Sequence, residues 1–266
     1  MAEPAPQKPA VQHLVVRYAK RGKMRFASHR DVARAFERGV RRAGLPIAYS
    51  AGFSPHPKIS YAGGAPTGVA SEAEYLSLAL TSRQAATQVG QRLNGALPDG
   101  IDVIDVTEDA PAGSGGSAPK ADKTFARLEA SEWRIVLPGV EPAAADRAVA
   151  SFLALSEAPV ERLTDKGVRR LDARAAVVEM NLLRPDEITA DPDGGQRAAV
   201  TGHDDCAILR MVVLHTVPAV RPEDILTALR DREGIVPSLP PLTTRLMQGS
   251  RALLTGNTLF AGDGRS

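Results

Sequence analysis

A chain of 266 residues, 43% hydrophobic and 24% charged, can bury one large core or two small ones, and its formal net charge is only +2. The single cysteine, Cys206, excludes an intramolecular disulfide and cannot supply the thiolates of an iron–sulfur cluster or a zinc ribbon, so no cofactor is expected. There is no run of about 18 apolar residues, and the N-terminus MAEPAPQKPA has neither a charged nor an apolar leader region. A cytoplasmic protein without a membrane partner is the expectation.

In chain order, Leu14 to Tyr18 (LVVRY) predicts a strand, and Ala19 to Lys23 a turn at Gly22 leading into Met24 to Ala27, together a basic hairpin. A helix follows, with Ser28 at its N-cap, Asp31 three residues on, and Gly44 with Pro46 closing it. Val32, Phe36, Val40 and Ala43 recur at helical spacing and mark the face that packs on a sheet. Short strand-like pieces at 47–50 and 58–62 come next. Glu74 to Thr81 (EYLSLALT) alternates as a half-buried strand, 82–96 reads as a second helix, and Ile101 to Val106 as a strand. The order β-α-β-β-α-β is that of the split βαβ, ferredoxin-like arrangement, with both helices on one face of an antiparallel sheet.

The segment APAGSGGSAPKADK has little to bury and reads as a linker. The pattern then restarts: a strand at 132–137, a helix at 142–155, and a strand pair 160–164 and 168–181 around Asp165-Lys166-Gly167. Further strands at 207–216 and 243–248 flank a Pro-started helix at 221–230, and the polar stretch 186–204 reads as an exposed loop. The chain is therefore expected to be α+β, with two ferredoxin-like halves at 11–109 and 129–250, a flexible linker at 110–128 and a tail at 251–266.

Charge is unevenly placed. Between Arg17 and Lys58 eleven basic residues face two acids, whereas between Ser71 and Ala110 seven acids face two arginines. Arg30, Arg34, Arg38 and Arg41 fall on one side of the first helix, opposite its apolar face, and Lys20, Arg21, Lys23, Arg25 and Lys58 lie in neighbouring segments. Guanidinium and ammonium groups so grouped suit phosphate oxygens, while Phe53, Tyr49 and Tyr61 offer rings for unpaired bases. RNA is the partner this favours. An acidic protein surface and a plainly solvated face, with Glu37 pairing Arg34 and Arg41, stand as the other readings.

The stretch SAGFSPHPKISYAGGAPTGV sets His56 between Pro55 and Pro57, which commits Ser54 and His56 to extended geometry. Such a stiff loop serves a site or simply joins two strands. His29 and His56 are candidate general bases if the protein is an enzyme. His29, His56, His203 and His215, with Asp31, match no zinc spacing, and Cys206 beside Ala207 reads as a small packed thiol, so no metal or thiol nucleophile is expected.

The basic segment RYAKRGKMRF, the helix start S-H-x-D, the loop GFSPHPKIS and the segment GVASEAEY resemble the bacterial radical-SAM-linked family over about residues 14–80, and more loosely around TDKGVRRLDAR. The resemblance implies association with a radical SAM enzyme and, through it, with RNA metabolism. Ser54 stands where asparagine is expected, and Gly63-Gly64-Ala65 replaces a bulkier apolar run. With one cysteine the chain has no C-x-x-x-C-x-x-C, so any radical chemistry belongs to a separately encoded partner. The expectation is a non-catalytic RNA-binding or substrate-presenting module, the alternative an RNA-cleaving or RNA-modifying enzyme. Ser28, Asp31, Phe53, Pro55 and Pro57 shape the surface.

Overall fold

The structure is a computed structural model, which describes residues 8–108, 125–165, 167–188 and 205–255. The chain divides into two compact units, Met1–Arg127 and Leu128–Ser266. Ten strands and six α-helices are present among the described residues, which is the α+β class expected. No described helix is long and apolar enough to cross a membrane. Residues 110–124, 189–204 and 256–266, within the expected linker, exposed loop and tail, lie outside the described residues.

The first unit runs β1 (Gln12–Lys20), a 3-10 turn (Gly22–Phe26), α1 (His29–Arg42), β2 (Ile59–Tyr61), β3 (Ala70–Leu80), α2 (Ala86–Asn94) and β4 (Ile101–Glu108). Strand β1 pairs antiparallel with both β3 and β4, and β2 pairs antiparallel with β3, so the spatial order is β4-β1-β3-β2. Alternation sends Leu14, Val16 and Tyr18 inward, where Leu76, Leu78 and Leu80 meet them from β3. Helix α1 lays Val32, Ala35, Phe36, Gly39 and Val40 on this layer. Gly39 lets the helix approach closely, since a Cβ there would stand 3.0 Å from Leu97 Cδ2.

Four elements differ from expectation. The basic hairpin is absent: after β1 the chain winds into the 3-10 turn, where Met24 N–H donates to Arg21 O at 2.9 Å and Ala27 N–H to Met24 O at 3.0 Å. Strand β3 starts four residues early, at Ala70, and is almost wholly buried; β1 pairs along nearly all of it and β2 along Leu76 to Leu78. Helix α2 starts later than 82, since Gln12 clamps Gln84 through both its N–H (2.8 Å) and its carbonyl (3.1 Å) and withdraws them from a first helical turn. Residues 47–50 contribute only isolated bridges, Ile47 to Leu80 and Tyr49 to Pro57.

The second unit runs β5 (Ala130–Pro138), α3 (Pro142–Ala154), β6 (Pro159–Thr164), β7 (Gly167–Asp172), α4 (Ala173–Ala176), β8 (Val177–Leu183), a 3-10 turn (Pro185–Glu187), β9 (Cys206–Leu214), α5 (Pro222–Glu233), β10 (Leu242–Gly249) and α6 (Arg251–Thr255). Antiparallel pairing gives the order β10-β5-β9-β8, and β6 with β7 forms a separate two-stranded ribbon. The single strand expected over 168–181 is broken in two. Asp172 ends it by accepting the N–H groups of Arg174 (3.0 Å), Ala175 (3.4 Å) and Ala158 (2.9 Å), which nucleates α4. At the end of the expected exposed loop's described part Ile188 is buried, and in the expected tail Leu254 of α6 packs on Ala130 and Val212.

Candidate nucleic-acid interface

Helix α1 is the best-punctuated element of the chain. Ser28 Oγ accepts from Asp31 N–H at 3.2 Å, and the Asp31 carboxylate accepts from Ser28 N–H at 3.2 Å and from Ser28 Oγ at 2.6 Å, closing a capping box. These bonds hold the Asp31 carboxyl below its ordinary pKa. At the other end Gly44 takes a left-handed φ of 58°, and the Arg92 guanidinium donates to its carbonyl at 2.8 Å. The helix is thus fixed at both ends.

At about 100° per residue, Arg30, Arg34, Arg38 and Arg41 lie within an arc of about 80° on the face opposite Phe36. All four are exposed, and none has an ion-pair or hydrogen-bond partner among the described residues. The pairing of Glu37 with Arg34 and Arg41 anticipated above does not form. Other arginines behave differently: Arg83 pairs with Glu108, Arg162 with Asp224 at 2.7 Å, and Arg210 with Glu132 and Glu179. The four stripe arginines form no such ion pair, although Asp31, whose carboxyl Arg34 and Arg30 help to hold ionised, and Glu37 border them on the same helix.

The remaining basic residues separate into three groups. Lys23, at the 3-10 turn, and Lys58, after the proline loop, are exposed. Lys20 is only 3% exposed and donates to Ala65 O at 3.1 Å and Pro66 O at 3.3 Å, which ties it to the interior. Arg21 is held by Glu72 and, at 2.9 Å, by Asp102, and these carboxylates raise its pKa. Arg25 lies 4.9 Å over the exposed Phe26 ring with its Nε buried and unpartnered. Lys20 and Arg21 thus serve the fold, and the exposed charge rests on α1, Lys23 and Lys58.

The proline loop is tied at its base by the Tyr49–Pro57 bridge and by Ser50 N–H donating to His56 O at 2.9 Å, while His56 N–H donates to Ser50 Oγ at 3.0 Å. Pro57 is buried, whereas Pro55 and the His56 side chain are exposed. Phe53 stands at the tip, 84% exposed. Of the three aromatic candidates it alone presents a free ring. Tyr49 and Tyr61 pack against the core, and Tyr61 lies edge-on to Phe36 (6.4 Å between centroids) and His29 (5.3 Å). Burial pushes the Tyr61 hydroxyl pKa up.

His29 is exposed at the first turn of α1, beside a carboxylate that sequence reasoning missed. A Cβ built on Gly64 would meet both Glu74 Oε2 and His29 Cδ2 at 3.5 Å. Glu74 is 3% exposed and accepts from Ala65 N–H at 3.1 Å. The signal was available, because Glu74 shares strand parity with the inward Leu76, Leu78 and Leu80, and Lys20 shares it with Leu14, Val16 and Tyr18. A charged residue on the core side of a strand is a reason to look for a site there.

His56 is not brought to His29 by any described contact. His203 lies outside the described residues, and His215 belongs to the second unit, where Ser131 Oγ lies 2.7 Å from its Nε2 and Leu128 O 2.7 Å from its Nδ1. Among the described residues no group of three or more His, Cys, Asp or Glu side chains is arranged to hold a metal. Cys206 opens β9 half-buried, with its thiol pKa raised by burial. Against known proteins, residues 13–222 match a family described as an uncharacterized protein conserved in bacteria, DUF2344. No curated protein matches the chain.

Proposed function

The chain belongs to the DUF2344 family, and from that premise we propose that it is a non-catalytic module that binds single-stranded RNA and presents it to a separate enzyme. The observation that carries this reading is the exposed row of Arg30, Arg34, Arg38 and Arg41, none held in an ion pair among the described residues, on a helix capped at both ends. Four guanidiniums along about 16 Å of helix match a row of backbone phosphates, and each is free to form a bidentate contact. Phe53 adds an exposed ring for an unpaired base, which favours a single strand over a duplex. The spatial strand orders β4-β1-β3-β2 and β10-β5-β9-β8 support reading each unit as ferredoxin-like.

The resemblance of the basic segment and proline loop to radical-SAM-linked chains makes a separately encoded radical SAM enzyme the partner in this reading, working in the cytoplasm. The alternative, an RNA-cleaving or RNA-modifying enzyme, draws support at His29 from the nearby Glu74 carboxylate, and none at His56. A labelled single-stranded RNA mixed with the pure protein distinguishes the two. Retarded but chemically unchanged RNA supports the module; shortened or altered RNA supports the enzyme; the absence of binding at near-physiological salt refutes both.

A further inference from the structure

We propose that Lys23 and Phe26, on the 3-10 turn ahead of α1, form a second single-nucleotide site, in which Phe26 stacks on an unpaired base and Lys23 holds a neighbouring phosphate of the strand bound along α1; the inference rests on the RNA reading above. A 3-10 turn repeats every three residues, so side chains at i and i+3 share a ridge. One ridge of this turn is Met24 with the following Ala27, and both pack against the core of the first unit. Another is Lys23 with Phe26, and both are exposed, the ring at 62%. The backbone of the turn is tied down: Arg21 N–H donates to Gly100 O and Gly68 N–H to Arg25 O, each at 2.8 Å. The core thus holds one ridge while the ring and the ammonium stand together on the other.

Two observations point to a nucleotide. The Arg25 guanidinium lies 4.9 Å over the Phe26 ring, with its Nε buried and without a hydrogen-bond partner. It covers one face of the ring, so the exposed area belongs to the other face and the edge, and a base laid there completes an arginine–phenylalanine–base stack. The second observation is placement. Phe36 and Phe152 are fully buried, whereas the exposed rings Phe26 and Phe53 both belong to the unit that carries the arginine row. Phe26 precedes Arg30 by four residues, at most about 14 Å of chain, so one strand can engage both. Lys23 forms no ion pair among the described residues. The capping box of Ser28 and Asp31 occupies the start of α1 with a carboxylate, which leaves a phosphate passing that end to Lys23 rather than to the helix amides.

A uridine oligomer carrying one 2-aminopurine reads the contact, because stacking on a ring quenches the fluorescence of that base. The Phe53→Ala protein separates the turn from the proline loop. It is expected to bind the oligomer and quench the base. Adding Phe26→Leu, which keeps apolar bulk and removes the ring, should abolish the quenching and weaken binding roughly fivefold with the salt slope unchanged. Adding Lys23→Gln instead should reduce the slope of log affinity against log salt by about 0.7 and leave the bound base quenched. Both side chains are exposed, so the melting temperature should stay that of the Phe53→Ala protein. Bound oligomer that is not quenched by the Phe53→Ala protein, quenching that survives Phe26→Leu, or an unchanged slope in Lys23→Gln overturns the site and leaves the arginine row standing. A parent protein that binds no RNA overturns both.

Discussion

Changing Arg34 and Arg38 together to Glu tests the interface at its centre. Both side chains are exposed and without an ion-pair partner, and the buried face of α1 is formed by other residues, so stability should change by no more than about 0.5 kcal/mol. Binding should change greatly. If all four stripe arginines neutralise phosphates of a single strand, the slope of log affinity against log salt is about −2.8, and removing two contacts reduces it to about −1.4. Between about 50 and 200 mM salt the parent then loses roughly 50-fold in affinity and the variant roughly sevenfold, from a lower starting value. Anisotropy titrations of a labelled RNA at four or five salt concentrations measure both slopes, and a thermal melt monitors the fold. A well-folded variant with the parent's slope and affinity would refute the assignment of phosphates to this helix face.

Three further outcomes follow from the same structure. Phe53→Ala should leave the melting temperature unchanged and weaken RNA binding by about 1–3 kcal/mol, with no change in salt slope, since a stacking ring carries no charge. Phe36→Ala should cost about 3–5 kcal/mol in urea unfolding, because the ring is fully buried against Tyr18 at 4.7 Å between centroids; a loss below 1 kcal/mol would show that the core closes without it. His215 has its pKa lowered chiefly by burial, so the unfolded chain takes up a proton first as pH falls. Its contribution is complete above the ordinary histidine pKa of about 6.5 and lost as pH drops below it, a decline that His215→Gln should flatten in melts between pH 7 and 5.

Much of the first unit was legible because its signals are local. Ser28, Asp31 and Gly44 bound α1 from both sides, and the spacing of Val32, Phe36 and Val40 fixes which face the arginines occupy. Bonds formed across long separations were not legible. Arg21 belongs with the surface cations by composition, and only the fold brings it Glu72 and Asp102, 51 and 81 residues away. Gln12 shortens α2 from a distance of 72 residues in the same way. Asp172 is a different kind of miss: a cap signal was present within the run RRLDAR and was outweighed by the β-propensity around it.

The two parts of the proposed interface differ in reach, and this gives them different shares in how fast RNA arrives and how long it stays. The arginine row projects a positive field into solvent over roughly the Debye length, about 8 Å at physiological ionic strength, and so acts on a strand before contact. The tied loop that carries Phe53 acts only once a base lies against the ring. Under the proposed reading, the arginine row sets the salt-dependent part of capture and residence, and the aromatic tip adds a part to the residence that salt does not change. If the chain hands its strand on to another protein, as proposed, quick loading with a short residence is the useful combination.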